Sequence, residues 1–213
     1  RQEVSLRDYV KDIRKRIPVP AFVGGMRIRV EERMKKLDIY ANETKLNFLE
    51  LHDSKIGVVA SGIAFSYAKE VFGDTVSYLK LGFTHPLPRT LMREFADQVE
   101  KIYVIEENDP IIENELKMMG IDCLGKDVFP YTGEMTPDVI RASVGGGRLP
   151  SILPDSTKIV PRPPTLCAGC PHRGFYYELA KRKNTVIAGD IGCYSLAFVE
   201  PFNATDYLVC MGA

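Results

Sequence analysis

Short apolar runs alternate with amphipathic segments through the middle of the chain. The first run, Ile56-Gly57-Val58-Val59-Ala60, contains no charged side chain, as expected for a strand that is buried on both faces. Three further runs repeat the pattern, and segments with helical periodicity separate them. The predicted strands are residues 56–60, 76–81, 101–105 and 121–124, and the predicted helices are residues 63–72, 86–99, 110–119 and 137–144.

This alternation of strands and helices determines the predicted fold class. It is typical of βα units that build a largely parallel sheet with helices on both faces, which is a three-layer αβα arrangement. Neither a GxGxxG pattern nor a P-loop follows the first strand, so the sequence lacks a dinucleotide or nucleotide fingerprint there. We therefore predict an α/β domain without a recognisable nucleotide motif.

The first 50 residues differ from the segments that follow in being more polar. Leu6, Val10, Ile13 and Ile17 recur at spacings of four, three and four residues, which predicts a helix that ends at Pro18. A loop is predicted over residues 18–25 and a second, charged helix over residues 27–40. Since this stretch is too polar to form a core alone, we interpret residues 1–50 as a helical connector to a domain at residues 51–143.

Composition narrows the possible classes of protein. The 213 residues are 45% hydrophobic and 26% charged, which is typical of a globular protein. The 28 Lys and Arg balance 28 Asp and Glu, so net charge does not favour a nucleic-acid partner. No apolar run approaches the roughly 18 residues that a membrane span needs, and the five cysteines do not resemble a secreted disulfide framework. We expect reduced thiols in a cytoplasmic protein.

Charge is distributed unevenly along the chain. Residues 1–37 carry 11 Lys or Arg and 5 Asp or Glu, an excess of six positive charges. Two interpretations stay open: solvated helix faces, or a basic segment that docks on an acidic surface of a larger protein.

A stretch rich in proline and glycine divides the chain. Residues 144–165 contain five Pro and three Gly in 22 positions, which is typical of a linker. Beyond it we predict a second domain at residues 166–213, with a helix at 174–181 and strands at 185–188 and 207–210. The chain stops where the last strand would turn into a helix, so we expect it to be a piece of a longer polypeptide.

The strongest chemical signal is the pair Cys167-x-x-Cys170. Two thiolates at this spacing on a turn can bind one metal ion or one iron–sulfur cluster. Cys193 follows a predicted strand, and a βα unit would return it to the same end of the sheet. Three ligands are an incomplete set, which Cys210 or a residue beyond Ala213 could complete. A redox pair and buried structural thiols remain alternatives.

Two further features near the cysteines carry weaker signals. The turn at residues 189–195 has glycines where a strand ends, and ligands of open α/β sheets bind at that end. An ordinary βα turn would have the same pattern. His172 is either a polar group near a phosphate or cofactor, or a capping residue of the next helix.

These motifs together resemble a known family. The segments Pro164-Thr165-Leu166-Cys167-Ala168-Gly169-Cys170-Pro171-His172-Arg173 and Gly189-Asp190-Ile191-Gly192-Cys193-Tyr194 closely resemble the alpha subunits of indolepyruvate ferredoxin oxidoreductases. Upstream, residues 55–62, 86–88 and 104–107 are similar to the same subunits, so the resemblance spans the chain. These enzymes belong to the thiamine-diphosphate-dependent 2-oxoacid:ferredoxin oxidoreductases.

The resemblance implies a layout and a set of site residues. Residues 51–143 would be a transketolase C-terminal-type domain, and residues from 166 the start of a thiamine-diphosphate-binding α/β domain. The Mg²⁺ motif of that domain and a fourth cluster ligand would lie beyond Ala213. Implied ligands of a [4Fe–4S] cluster are Cys167, Cys170 and Cys193. The residues implied to contact thiamine diphosphate are Asp190, Ile191, Gly192, Tyr194 and Ser195, with His172 near the diphosphate.

The resemblance also implies an activity. An aryl pyruvate such as indolepyruvate would be oxidatively decarboxylated to an acyl-CoA, with coenzyme A as acyl acceptor, ferredoxin as electron acceptor and a beta subunit as partner. The 213-residue chain alone is expected to be inactive, because the other parts of the cofactor site would lie outside it. The alternatives are another 2-oxoacid substrate, or a zinc-stabilised or purely structural α/β module.

Overall fold

The structure, a computed structural model, describes residues 8–147 and 160–209. The chain divides into two compact units, residues 1–150 and 151–213. The strands of the first unit are β1 (Phe48–Glu50), β2 (Ile56–Ser61), β3 (Ser77–Leu81) and β4 (Lys101–Ile105). Its helices are α1 (Ile13–Arg16), α2 (Pro20–Glu43), α3 (Gly62–Phe72), α4 (Arg89–Ala96), α5 (Ile111–Met118) and α6 (Pro137–Ser143).

A four-stranded mixed sheet in the order β1-β3-β2-β4 forms the centre of the first unit. Strand β2 pairs in parallel with β3 and β4, whereas β1 pairs antiparallel with β3 at one edge. The predicted parallel arrangement of the three longer strands is confirmed. The predicted strand 121–124 is reduced to one parallel bridge, between Tyr103 and Leu124.

Both faces of this sheet are covered by helices. Successive residues of β2 point to opposite faces, so Val58 and Val59 lie in different apolar clusters. One cluster holds Val58, Ala60, Tyr78, Ile105, Ala64 and Ala68 of α3, and Ile140 of α6. The other holds Val59, Leu79, Val104, Met92 and Phe95 of α4, and Ile112 and Leu116 of α5. The first unit is therefore an α/β fold with helices on both sides of a mixed sheet.

The N-terminal helices differ from the prediction. Within residues 8–147, the predicted first helix is confined to α1, which spans four residues after Asp12. The predicted loop at 18–25 is wrong, since α2 begins at Pro20 and continues through Gly24 and Gly25. Proline is favourable at the first helical position, because the amide hydrogen it lacks would have no partner there.

The connector also contributes to the sheet, which the sequence analysis did not predict. Buried Asn47 lies just before β1 and donates from Nδ2 to the carbonyls of Ala41 (2.8 Å) and Phe83 (3.0 Å). Its Oδ1 accepts from the backbone amides of Gly82 and Phe83, both at 2.8 Å. These four hydrogen bonds fix the end of α2 against the loop after β3, and they position β1 for pairing.

The second unit is small. It contains α7 (Pro171–Ala180), β5 (Ala188–Asp190), a 3₁₀ helix (Cys193–Phe198) and β6 (Tyr207–Val209). Strands β5 and β6 pair in parallel. Its described residues form a buried core of Leu166, Tyr176, Ala197 and Ala204. Part of the predicted linker 144–165, together with Cys210, lies outside the described residues, so the boundaries of the linker and the domains stay predictions.

The strand predicted at 185–188 is displaced toward the C-terminus. Asp206 bonds to Ile187 twice: its Oδ2 accepts from the Ile187 amide (2.7 Å), and its amide donates to the Ile187 carbonyl (2.9 Å). Strand β5 begins at the next residue, Ala188. Gly189 therefore lies within the strand. A Cβ at Gly189 would stand 2.5 Å from Leu208 Cδ2, so a larger residue at position 189 would require the Leu208 side chain to move. Among the described helices, none has the length and apolar character of a membrane span.

Candidate cofactor and metal-ligand site

A tight turn carries the first two cysteines. The Cys170 amide donates to the Cys167 carbonyl (3.1 Å), and Gly169 adopts φ +77°, a conformation that glycine enters at little cost. Cys170 is then the N-cap of α7, with Pro171 at the first helical position. Arg173 Nη1 donates to the Leu166 carbonyl (3.1 Å), which ties the helix back to the segment before the turn. Cys167 is exposed, whereas Cys170 is half-buried.

A second turn follows β5 and carries Cys193. Ile191 donates its amide to Asp190 Oδ1 (2.7 Å), and the Tyr194 hydroxyl donates to the Ile191 carbonyl (3.1 Å). Ser195 donates its hydroxyl to the Gly192 carbonyl (2.7 Å). Cys193 itself is exposed. The side chains of this segment thus bond largely to its own backbone, which holds the turn in one shape.

Gly192 is required for the position of the Tyr194 ring. A Cβ at Gly192 would stand 2.7 Å from Tyr194 Cε1 and 2.8 Å from Cζ. The Tyr194 ring therefore packs directly against the backbone of Gly192. Any side chain at position 192 would displace the ring. Glycine at 192 therefore has a steric role, which the glycine pattern of the turn does not indicate by itself.

The two turns meet through aromatic contacts. The His172 ring lies 5.6 Å from the Tyr194 ring and 6.5 Å from the Tyr176 ring, measured between centroids. Cys170 and Tyr194 both pack against the core of the second unit. Burial, with a smaller contribution from the Tyr194 hydroxyl, raises the pKa of Tyr176. The residues beside Cys170 and Cys193 are therefore neighbours in space, although 23 positions separate the two cysteines.

His172 also contacts a cysteine directly. Its Nδ1 lies 3.4 Å from Cys170 Sγ, within hydrogen-bond range for sulfur. The sequence pattern alone does not predict this contact or the packing of Tyr176 against His172. The available signal was the spacing of His172 and Tyr176, because residues four apart share one face of a helix.

The three thiols do not form a ready site for a single metal ion. Among the described residues, their sulfur atoms do not all lie within 4.8 Å of one another. A tetrahedral zinc site with Zn–S bonds of about 2.3 Å would need sulfur atoms roughly 3.8 Å apart. In a [4Fe–4S] cluster each cysteine binds a different iron atom. The ligating sulfur atoms of such a cluster therefore lie farther apart than those of a single zinc ion, which fits the wider spacing of these thiols better.

Within residues 8–147 of the first unit, one compact group of potential metal ligands occurs, at Glu50, His52 and Asp74. Lys69 Nζ already contacts it, at 2.5 Å from Glu50 Oε1 and 3.2 Å from Asp74 Oδ1. The hydrogen bond from Lys69, followed by the one from His52, lowers the pKa of Glu50. Because an ammonium group satisfies these carboxylates, the group is interpreted as a structural ion-pair network.

The acidic end of β4 is also structural. Buried Glu106 accepts from the amides of Ile112 (2.9 Å) and Glu113 (3.0 Å), which belong to the first turn of α5. Glu107 Oε1 accepts from the Met135 amide (3.1 Å). Helix N-termini favour a carboxylate in this position. The candidate site of the chain is therefore the paired turns of the second unit.

The chain is similar along its whole length to known proteins. The chain is 38% identical over 239 aligned positions to the indolepyruvate oxidoreductase subunit IorA of Methanothermobacter thermautotrophicus, a match that covers all of the chain and 38% of that relative. It is 30% identical to the subunits of the same name from Archaeoglobus fulgidus and Thermococcus kodakarensis, with 92% and 96% of the chain covered. It spans little more than a third of the length of these relatives. No family model matches the chain.

Proposed function

We propose, from the premise that this chain belongs to the family of the indolepyruvate oxidoreductase subunit IorA, that it holds part of the redox centre of a 2-oxoacid oxidoreductase. The observation that carries the proposal is the contact between the two cysteine turns, through the rings of His172 and Tyr194. This contact keeps Cys170 and Cys193 on adjoining segments of one small unit.

The chemistry of the three thiols fits an iron–sulfur cluster. Cys167 and Cys193 are exposed and Cys170 is half-buried, so the thiols are accessible to an incoming cluster. Thiolates are the usual ligands of such clusters. We propose Cys167, Cys170 and Cys193 as three ligands of a [4Fe–4S] cluster, with a fourth from elsewhere in the protein. Cys123 is not included, because it packs in the core of the first unit.

The turn after β5 fits one side of a thiamine diphosphate site. It follows the carboxyl end of a parallel strand, where ligands of open sheets bind. The proposed contacts are Asp190, Ile191, Gly192, Tyr194 and Ser195. Internal hydrogen bonds hold the turn in shape before a ligand arrives, and preorganisation of this kind reduces the entropic cost of binding.

The cofactors would supply the electron chemistry, and the chain would supply the geometry. Thiamine diphosphate held by the turn at residues 190–195 would supply an electron sink for decarboxylation, and a cluster held by Cys167, Cys170 and Cys193 would supply a low-potential electron acceptor. The chain's own contribution is to hold three sulfur atoms and one wall of the cofactor site on the same unit. Mg²⁺ would be bound by residues outside this stretch.

Membership of the family supports a proposal for substrate, partners and compartment. We propose oxidative decarboxylation of an aryl pyruvate to an acyl-CoA, with coenzyme A and ferredoxin as co-substrates and a beta subunit as partner. Four cysteines in the described residues are free thiols, which supports a reducing cytoplasm. We also propose that the first unit is a transketolase C-terminal-type domain, which its three parallel strands and helix-covered faces support.

A matched pair of variants tests this function. Purified anaerobically with its partner subunit, the complete oxidoreductase should reduce a viologen dye when given indolepyruvate and coenzyme A. Cys193→Ala should abolish this reduction, because one thiolate leaves the cluster. Cys123→Ala removes a thiol in the other unit and should retain activity. Full activity of Cys193→Ala, or no turnover by the wild-type enzyme with any aryl pyruvate, would contradict the proposal.

A further inference from the structure

The contact between His172 and Cys170 raises a question about the direction of its hydrogen bond. His172 Nδ1 lies 3.4 Å from Cys170 Sγ. A cysteine that ligates a metal has lost its thiol proton, so its sulfur can only accept a hydrogen bond. The proton in this contact must then be carried by Nδ1 of the imidazole.

We infer that His172 is a positioning residue for Cys170, whose Nδ1–H donates to the ligating sulfur and raises the reduction potential of the cluster. The inference rests on the proposed function, because it needs Cys170 to be a cluster ligand. Hydrogen bonds to the sulfur atoms are among the factors that set cluster potentials. A reduced cluster carries one more negative charge, so a donor stabilises the reduced form more than the oxidised form.

The surroundings of His172 keep Nδ1 directed at the sulfur. The imidazole is half-buried and packs against the rings of Tyr194 and Tyr176. Cys170 caps α7, Pro171 is the first residue of the helix and His172 is the second. His172 therefore lies in the first turn, two positions after Cys170. Both the ring and its partner sulfur are thus held by the same helix end, which limits the rotation that would break the contact.

This assignment has a consequence for the second ring nitrogen. The contact with sulfur uses Nδ1, whereas a contact with a diphosphate oxygen would use Nε2–H. The two roles therefore depend on different ring nitrogens.

Three substitutions of His172 separate these roles. An asparagine side chain would present an N–H near the position of Nδ1, whereas a glutamine side chain reaches toward the position of Nε2. His172→Asn therefore keeps the donor to sulfur, and His172→Gln removes it. His172→Phe keeps an aromatic ring beside Tyr194 and also removes the donor, so it controls for packing.

The measurement is the midpoint potential of the cluster in the anaerobically purified oxidoreductase, by redox titration of its visible absorption. We expect His172→Gln and His172→Phe to shift the potential in the negative direction and His172→Asn to stay near the wild-type value. Should one of the donor-less variants fail to fold, the other provides the same comparison. The inference would be overturned if the midpoint potential were unchanged in both His172→Gln and His172→Phe. It would also be overturned if His172→Gln kept the wild-type potential and His172→Asn did not.

The outcome for the wild-type protein separates the two proposals. Wild-type protein without iron and labile sulfide would refute the proposed function, and the inference with it. Wild-type protein that carries the cluster, but whose potential does not respond to loss of the donor, would refute the inference alone.

Discussion

At the scale of single residues, Asn47 is fully satisfied in a buried position. It is 5% exposed, and its amide group both donates to and accepts from the backbone on either side of β1. Buried polar groups that lose a partner cost about 1–3 kcal/mol, and more when charged. The side chain therefore holds together segments that lie far apart in sequence.

Asn47→Asp should lower the free energy of unfolding by about 2 kcal/mol or more at neutral pH. The carboxylate has the same shape, but it cannot donate to the carbonyls of Ala41 and Phe83. Urea denaturation measures the change. The control is Asn114→Asp, the same change at an exposed position of α5, which should have little effect. Equal stability of the two variants would contradict this role of Asn47.

Glu113 is a second buried group with distant partners. Its side chain is 4% exposed and accepts from Lys117 Nζ (2.6 Å) and the Lys126 amide (2.8 Å). Burial alone would raise its pKa, but the hydrogen bonds and positive charges of Lys117 and Lys126 outweigh burial, and the pKa is lowered from 4.5. The folded state therefore favours the carboxylate.

This pKa shift predicts how stability depends on pH. Because the folded-state pKa is lowered, the stabilisation is fully present above the unfolded-state pKa of 4.5 and is lost as the pH falls through the folded-state value. Glu113→Gln should cost about 1–3 kcal/mol at pH 7, and its deficit should shrink in acid. Denaturation across a pH series measures this, with exposed Glu70→Gln as control. A deficit that stays constant with pH would refute the account.

At the scale of secondary structure, close packing explains why β2 tolerates only a small residue at one position. A Cβ at Gly57 would stand 2.7 Å from Phe95 Cζ and 3.0 Å from Val99 Cγ2. Phe95 is fully buried, so its ring has no free space to move into. Helix α4 can therefore approach the sheet this closely because position 57 has no side chain.

Gly57→Ala should destabilise the protein by about 1–3 kcal/mol, the usual cost of overpacking a core. Gly24→Ala is the matched control, since it makes the same change in α2 with nothing within 4 Å of the added carbon. That variant should keep or raise helicity, because alanine is favoured over glycine in helices by about 1 kcal/mol. Thermal unfolding followed by circular dichroism compares them, and similar melting temperatures would contradict the packing argument.

The elements that could be predicted are those whose signal is local. Strand β2 begins with a continuous apolar run, β3 and β4 are mostly apolar, and helices α3 to α6 have regular apolar spacing. By contrast, β1 has three residues, and its pairing depends on the hydrogen bonds of Asn47 to residues 35 and 36 positions away. No local pattern encodes such contacts. The start of α2 was missed because Pro20 was interpreted as part of a loop.

At the scale of the whole molecule, the two units differ in how much they bury. Strands β2 and β4 lie between two apolar clusters, whereas every residue of β6 is exposed. Among residues 160–209, the core of the second unit contains four buried residues. Little buried apolar surface and exposed backbone hydrogen bonds are typical of segments that open locally.

Hydrogen exchange should show this difference directly. We expect amides of β2 and β4 to exchange slowest, and amides of β5 and β6 to exchange much faster. Loading with iron and sulfide should slow exchange around residues 167–173 and 190–195, because ligation by Cys167, Cys170 and Cys193 would link the two turns. Slower exchange in β6 than in β2 without the cluster, or no change on loading, would contradict this view.

The candidate site could be predicted in part. The neighbouring positions of the two turns follow from the return of a βα unit to one end of its sheet, which the sequence pattern contains. The orientation of His172 depends on packing against Tyr194, a residue of another segment, so spacing along the chain could not indicate it. The separation of the three sulfur atoms likewise depends on the backbone path of both turns.

The most direct test of the central claim is the metal content of the anaerobically purified protein. If Cys167, Cys170 and Cys193 together ligate an iron–sulfur cluster, wild-type protein and Cys123→Ala will be brown and contain iron and labile sulfide. Cys170→Ala and Cys193→Ala will lose both. A colourless wild-type protein with zinc and no sulfide, or iron that persists after loss of Cys193, would contradict the claim.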